Sequence, residues 1–146
     1  MHNTLKEKLA QGRQPLGTFV GTGSPAVVEC LGCAGLDFVI LDNEHSPVEA
    51  EATASMVRAA ELRNVTPLAR VREISRPAIL KLLDVGVQGL IIPDVRSAED
   101  VRRIVSFAKY APWDSGASAP PARTAGAPIP SAACWTPWPT STPRRW

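Results

Sequence analysis

The sequence predicts an α/β fold built from four consecutive βα units, the N-terminal half of a (β/α)8 (TIM) barrel, followed by an irregular C-terminal tail. Three observations predict it. Short runs rich in β-branched residues alternate with longer stretches of helical period, the runs recur at the interval of one βα unit, and both periods stop near Pro112. The same alternation fits one half of a doubly wound sheet, and the pattern alone does not separate the two folds.

The predicted elements each have a local reason. Strands are expected over 16–21, 36–44, 66–72 and 88–95, and helices over about 4–11, 25–34, 47–63, 76–83 and 97–110. The second strand is almost continuously apolar, as a strand buried on both faces should be. Ser24 and Pro25 supply an N-cap and a first helical proline, and Gly35 ends that helix. Ser97 opens the last helix, which carries acidic residues in its first turn.

The composition divides the chain into a barrel-like part, 1–112, and a tail, 113–146. All four tryptophans lie in the tail, which contains no lysine or glutamate and only Ile129 as a branched aliphatic residue. A tail of this composition is expected to be disordered. A frameshift is the second hypothesis, because Ala, Pro, Arg, Gly, Ser and Trp crowd together when a GC-rich gene is read in the wrong frame.

Charge and hydropathy exclude several classes of partner. The formal net charge is only +2, with 16 basic against 14 acidic residues, so no dense basic face is available for nucleic acid. No apolar run approaches the roughly 18 to 20 residues of a membrane span, and the start of the chain is charged and amphipathic. The sequence therefore predicts a cytoplasmic protein with neither nucleic-acid nor membrane partners.

Polar residues at the carboxyl ends of the predicted strands form the candidate site. The second strand ends in Asp42-Asn-Glu-His45, the third in Arg70-Val-Arg72. Reactive groups of parallel α/β folds gather at these ends. A histidine there can take a proton near neutral pH, and an arginine one strand away can hold an oxyanion or a carboxylate, so the pattern predicts enolisation chemistry.

Each candidate also has a structural interpretation. His45 could be a solvent-exposed loop histidine, and Arg70 and Arg72 could be strand-end partners of Asp42 or Glu44, a role that the sequence favours for Arg72 over Arg70. The Cys30-Leu-Gly-Cys33 spacing suits redox or metal chemistry, but it lies within a predicted helix without a second ligand pair. Buried structural thiols are the favoured interpretation there.

Five segments resemble the metal-dependent class II 2-oxo acid aldolases typified by 4-hydroxy-2-oxoheptanedioate aldolase and 2-dehydro-3-deoxyglucarate aldolase. They are GTFVGTGSP, LDFVILDNEHSP, PLARV, ILKLLDVGVQGLIIPDV and RRIVSFAKYAP. The resemblance extends over about residues 4–112. The resemblance implies a (β/α)8 barrel, usually hexameric. It also implies cleavage or formation of a carbon–carbon bond through the enolate of pyruvate, a small 2-oxo acid.

The resemblance assigns a role to each candidate. His45 matches the proton acceptor, Arg70 the arginine that stabilises the developing charge on the pyruvyl oxygen, and Asp84 an acid that raises the basicity of the histidine. Asp84 falls at the end of the helix over 76–83, on the opposite rim from His45. Either a neighbouring subunit brings Asp84 close, or the nearer Asp42 orients the imidazole.

The resemblance also implies a divalent metal, Mg²⁺, Mn²⁺ or Co²⁺, held by a Glu after strand five and an Asp after strand six. For the complete barrel we expect retro-aldol cleavage of a 4-hydroxy-2-oxo acid to pyruvate and an aldehyde. No residue of this chain matches the metal ligands, so we expect little or no aldolase activity from the chain itself. The alternatives are a non-catalytic barrel fragment that self-associates and a citrate-lyase β-subunit-like enzyme acting on a CoA thioester.

Overall fold

The computed structural model describes residues 3–109, which form one four-stranded parallel sheet with helices between the strands. The strands are β1 (Gly17–Val20), β2 (Phe38–Asp42), β3 (Thr66–Arg70) and β4 (Gly89–Ile91). The helices are α1 (Thr4–Ala10), α2 (Pro25–Cys33), α3 (Ala50–Leu62), α4 (Arg76–Asp84) and α5 (Ala98–Ala108). Every predicted element of this part is confirmed, most with shorter ends. The predicted tail, 113–146, and its boundary at 112 lie outside the described residues.

The order of the strands separates the two folds that the sequence left open. The strands follow one another as β1-β2-β3-β4, and each neighbouring pair is parallel. In a doubly wound sheet the strand order reverses, because the second half of the chain adds its strands next to β1, on the side away from β2. The sequential order is that of a (β/α)8 barrel, of which these four strands make half.

Local sequence sets the helix ends. Ser97 and Asp100 form a capping box at the start of α5, and Ser75 caps α4 by accepting from the backbone N–H of Ala78. Gly35 follows α2 with a φ of 88°, which favours glycine. The helix expected from residue 47 begins at Ala50 instead, because the Asn43 side chain holds the backbone carbonyl of Val48.

The main core lies between the sheet and the helices. Alternate strand residues point to it, with Leu41 of β2 and Ala69 of β3 fully buried against Met56 of α3 and Ile79 of α4. The opposite, inner face of the sheet carries Phe19, Ile40, Leu68 and Ile91, none of which belongs to this core. Among residues 3–109, the helices cover one face of the sheet, while on the inner face Ile40 is buried and Phe19 is exposed.

Helix α1 is tied to the amino ends of the strands. The backbone N–H of Leu5 donates to Thr66 Oγ1, Thr4 Oγ1 donates to the carbonyl of Asn64, and Lys8 pairs with Asp37. The carboxyl ends of the strands, at the other edge, are left to the loops that carry the candidate site. Within residues 3–109 no helix is long and apolar enough to cross a membrane.

Candidate active site

The sheet register brings Asp42 and Arg70 together. They are the last residues of β2 and β3 and lie directly opposite each other on the inner face. Arg70 Nε donates to Asp42 Oδ1 over 3.1 Å and Nη2 donates to Oδ2 over 2.7 Å. The Asp42 side chain is 12% exposed and the Arg70 side chain 22%, so this ion pair with two hydrogen bonds is largely screened from water.

Asp42 is held as a carboxylate by donors on two sides. Besides Arg70, the backbone N–H groups of Glu44 and His45 donate to Oδ1, over 3.0 and 3.2 Å. The hydrogen bond from Arg70 is the main cause that lowers the pKa of Asp42 to about 2, against the opposing effect of burial. The same bond raises the pKa of Arg70 above its ordinary value.

Arg70 is fixed by two further contacts. Its Nε lies 3.2 Å from Glu44 Oε2, and its guanidinium carbon lies 5.0 Å from the centre of the Phe19 ring. Among residues 3–109, no hydrogen-bond partner is found for Nη1. The guanidinium is therefore held in one orientation by Asp42, Glu44 and Phe19, with its Nη1 donors free for a bound oxygen.

The imidazole of His45 stands in solvent at the same edge. Its side chain is 70% exposed, and its Nε2 lies 3.7 Å from Glu44 Oε1. The contact with Asp42 is made by the backbone N–H of His45 and not by the ring. Asp42 therefore fixes the turn that carries His45, and the carboxylate in contact with the imidazole is that of Glu44.

Sequence reasoning named Glu44 only as a possible partner of the two arginines, and it missed two other residues that shape this turn, Ser46 and Thr53. Glu44 contacts both Arg70 and His45, Ser46 donates to the backbone carbonyl of Asp42, and Thr53 accepts from the Asn43 amide over 2.9 Å. The run of short polar residues after the second strand indicates a structured turn. The particular partners follow only from the tertiary structure, because Arg70 and Thr53 are distant in sequence.

Arg72 takes a different position from the one expected. Its Nη2 donates to Glu49 Oε1 over 2.9 Å and its Nε to the carbonyl of Asn43 over 3.3 Å. The sequence favoured Arg72 over Arg70 as the partner of Asp42 or Glu44. That prediction was wrong, because Arg70 forms ion pairs with both Asp42 and Glu44. The reason is register, since Arg70 lies opposite Asp42 whereas Arg72 lies beyond the end of β3.

Asp84 lies near the amino ends of the strands, at the opposite end of the sheet from His45. It is the exposed last residue of α4, which leads into the amino end of β4, whereas His45 follows the carboxyl end of β2. The chain does not bring Asp84 to the turn around His45. Its assignment as partner of the histidine remains a prediction that requires a neighbouring copy.

A cavity lined by Asn43 lies next to the candidate residues but does not contain them. A groove of about 300 Å³ lies beside the site and is lined by residues of the loops after β2 and β3 and of α4, among them Asn43, Glu49, Arg72 and Lys81. Asp42, His45 and Arg70 do not line it. Asp42 and Arg70 lie instead on the inner face of the sheet, at the carboxyl ends of β2 and β3, and His45 follows in the loop after β2.

The described residues do not fit a divalent metal. Within 3–109, no three or more His, Cys, Asp or Glu side chains are grouped to hold an ion. Both carboxylates of the site, Asp42 and Glu44, are in contact with Arg70. Cys30 and Cys33 are free and exposed, so the interpretation of them as buried thiols was wrong.

A family model confirms the resemblance found in the segments above. The model described as HpcH/HpaI aldolase/citrate lyase matches residues 16–133, most of the chain. The chain belongs to the HpcH/HpaI aldolase/citrate lyase family. The match continues past Pro112, where the resemblance was expected to end.

Curated proteins with aldolase names are similar to most of the chain. The hydroxypyruvate/pyruvate aldolase of Deinococcus radiodurans is 33% identical over 112 residues, which are 77% of this chain and 40% of that protein. The 2-keto-3-deoxy-L-rhamnonate aldolase of Escherichia coli K12 is 30% identical over 135 residues, 92% of this chain and 48% of that protein. The chain thus spans less than half the length of these relatives.

Solved structures share the fold. The citrate synthase SbnG is 34% identical with a TM-score of 0.73, and the match covers 78% of this chain and 46% of that one. The HpcH/HpaI aldolase of Desulfitobacterium hafniense is also 34% identical, with a TM-score of 0.72, and the match covers 81% of this chain and 46% of that one. Both matches place the four βα units within a larger molecule.

Proposed function

We propose that the edge formed by β2 and β3 is the proton-moving and oxyanion-binding part of a pyruvate-type aldolase site. The reaction is retro-aldol cleavage of a 4-hydroxy-2-oxo acid to pyruvate, or a close 2-oxo acid, and an aldehyde. The observation that carries the proposal is the fixed Arg70 with free Nη1 donors, at the same edge as the exposed imidazole of His45. The aldolase names of the curated relatives support this class of reaction.

Arg70 has the properties that an enolate requires. Breaking the bond between C3 and C4 leaves negative charge on the oxygen at C2 of the pyruvyl fragment, and preorganised donors stabilise such charge most. Two carboxylates and an aromatic ring hold this guanidinium in place before substrate binds, so little reorganisation accompanies the reaction. In the proposal, Nη1 donates to the C2 oxygen.

His45 moves the proton. The neutral imidazole takes the proton of the C4 hydroxyl as the C3–C4 bond breaks and the aldehyde forms, and the resulting imidazolium then gives a proton to C3 of the enolate. Its exposure leaves the ring free to reach a substrate above the sheet.

A cation remains part of the proposal for the complete enzyme, as Mg²⁺, Mn²⁺ or Co²⁺. The site has one positive guanidinium against the two carboxylates Asp42 and Glu44, an excess of negative charge that opposes an anionic 2-oxo acid. The described residues do not fit a metal, so we derive no step through one. We accordingly propose little or no turnover by the 146-residue chain itself, and homo-oligomerisation, hexameric in the family, for the complete enzyme.

A second candidate is condensation or cleavage at a CoA thioester, as in a citrate-lyase β subunit. The family description includes citrate lyase, and one solved neighbour is named a citrate synthase. The same arginine would then stabilise an enolate formed from a thioester. A third possibility, a non-catalytic barrel fragment, predicts no chemistry with either substrate.

Deuterium exchange into the methyl group of pyruvate tests the proposal without requiring the full reaction. We expect the chain to exchange these protons faster than buffer, and His45→Gln and Arg70→Lys each to lower the rate at least about tenfold. Arg72→Lys is the matched control, since Arg72 pairs with Glu49 outside the site. Exchange no faster than buffer, or unchanged in the Arg70 variant, contradicts the proposal, and exchange of an acetyl thioester alone favours the second candidate.

A further inference from the structure

A buried amide anchors the turn that carries His45. Asn43 is 6% exposed, and its Nδ2 donates over 2.9 Å both to the backbone carbonyl of Val48 and to Thr53 Oγ1. Thr53 is fully buried and belongs to α3. The first bond closes the segment 43–48 on itself, and the second attaches that segment to the helix behind it.

The two bonds require an amide at this position. Thr53 Oγ1 donates its own hydrogen to the backbone carbonyl of Glu49 over 3.0 Å, so it accepts from Asn43. The carbonyl of Val48 is an acceptor as well. An ionised aspartate has no donor, and leucine has neither donor nor acceptor. Of these three side chains of similar size, only that of asparagine satisfies both partners.

One atom of Asn43 has no partner in the described part of the chain. Its Oδ1 is buried, and no hydrogen-bond partner is found for it among residues 3–109. A buried acceptor that is left unpaired destabilises a fold, which offsets part of what the two hydrogen bonds of the amide contribute. The amide is therefore better explained by the turn that it holds than by stability alone.

The turn held in this way carries the contacts of the candidate site. The backbone N–H groups of Glu44 and His45 donate to Asp42 Oδ1 over 3.0 and 3.2 Å. Glu44 Oε2 lies 3.2 Å from Arg70 Nε. The ring of His45 approaches Glu44 to 3.7 Å and makes no hydrogen bond within residues 3–109. Its position is therefore set by the backbone of the turn, which Asp42 holds on one side and Asn43 on the other.

We propose that Asn43 and Thr53 are positioning residues for His45. They hold the turn 43–46 against α3, so that the imidazole stands at the edge where Arg70 presents its free Nη1. Both side chains are buried and neither takes part in the chemistry. The inference rests on the proposed function, because it assigns the two residues to the proton-moving step. A displacement of about 1 Å can lower the rate of a reaction on the order of a hundredfold, so a fixed turn matters for that step.

Asn43→Leu removes both bonds of the amide and keeps the size of the side chain. We expect the backbone amides of Glu44 and His45 to exchange with solvent at least about tenfold faster than in the wild type, because the turn opens more often. The amides of 39–41 in β2 should be unchanged. Deuterium exchange into the methyl group of pyruvate should fall at least about tenfold.

Thr53→Val is the second variant, for the case that Asn43→Leu does not fold. It removes one acceptor and should change both measurements in the same direction. Thr53→Ser keeps the hydroxyl and should retain the wild-type rates. Ser55→Ala is the matched control: Ser55 Oγ donates to the carbonyl of Glu51, four residues earlier, as Thr53 Oγ1 does to that of Glu49, but its hydrogen bonds do not reach the turn. It should leave both rates unchanged.

The two measurements separate the outcomes. Unchanged amide exchange at Glu44 and His45 in both variants overturns the positioning role, and so does an equal acceleration of the β2 amides, which indicates a general loss of structure. Faster amide exchange with undiminished pyruvate exchange overturns the assignment to His45, as does a Thr53→Ser variant that behaves like Thr53→Val. If the wild-type chain exchanges pyruvate no faster than buffer, the proposed function fails, while the amides still decide whether Asn43 holds the turn.

Discussion

Asp42 Oδ2 lies 2.7 Å from Arg70 Nη2, and the two residues end neighbouring parallel strands at the same register position. This ion pair has a structural and a functional role, because it links the ends of β2 and β3 and also orients the Arg70 guanidinium. Loss of Arg70 would leave the largely buried Asp42 carboxylate with only the two backbone N–H donors of Glu44 and His45.

Acid should destabilise the chain through Asp42. Its pKa is about 2 in the fold, against about 3.9 in an unfolded chain, so the carboxylate stabilises the fold above about pH 4 and that stabilisation disappears as the pH falls towards 2. The loss should be about 2 kcal/mol in the free energy of unfolding. Urea titrations of the wild type and Asp42→Asn across this range measure it, and the variant should show a flatter dependence on pH. Equal slopes would contradict the assignment.

Arg70→Lys should destabilise the fold, because an ammonium group cannot make both hydrogen bonds of the guanidinium to Asp42. We expect a loss of about 1 to 3 kcal/mol in the free energy of unfolding, measured by urea denaturation. Arg72→Lys is the control. Its partner Glu49 is exposed, so a change below about 1 kcal/mol is expected. A larger loss at Arg72 than at Arg70 would reverse the ranking given by the structure.

Gly32→Ala should destabilise the contact between α2 and α3, although alanine favours helices. An added Cβ would lie 2.5 Å from Arg63 Cβ, closer than real Cβ atoms approach, and 3.1 Å from Val65 Cγ2, which is a tight contact. Separation of the helices should cost about 1 to 3 kcal/mol and outweigh the helix propensity gained. Thermal unfolding measures the change, with Cys33→Ala on the exposed surface of the same helix as a control. A more stable Gly32 variant would show that the two helices lie further apart.

Ser97→Ala should loosen the start of α5. Ser97 Oγ accepts from the backbone N–H of Asp100 over 3.1 Å, while the Asp100 carboxylate accepts from the backbone N–H of Ser97 over 3.0 Å. Removal of the hydroxyl should cost about 1 kcal/mol and speed amide exchange in the first turn of α5. Ser106→Ala, later in the same helix, should leave those amides unchanged. Equal effects of the two substitutions would argue against the cap.

The sequence by itself determined the elements and the family. Three local features predicted the elements without the fold: the hydrophobic period, Ser97 with its acidic first turn, and Ser24-Pro25 before α2. The DNEH segment at 42–45, together with Arg70, indicated the family. The extent of the helix after β2 was misjudged. Its start depends on the hydrogen bond from Asn43 to Val48, which the local pattern does not contain.

Only the tertiary structure decided which strands are neighbours and which side chains meet. Strand order separated the barrel from the doubly wound sheet, and register assigned the ion pair with Asp42 to Arg70 and left Arg72 to Glu49. It also placed Glu44 between Arg70 and His45. The physical reason is that a local pattern fixes the direction and faces of one strand, whereas contacts between strands depend on backbone pairing across residues that are distant in the chain.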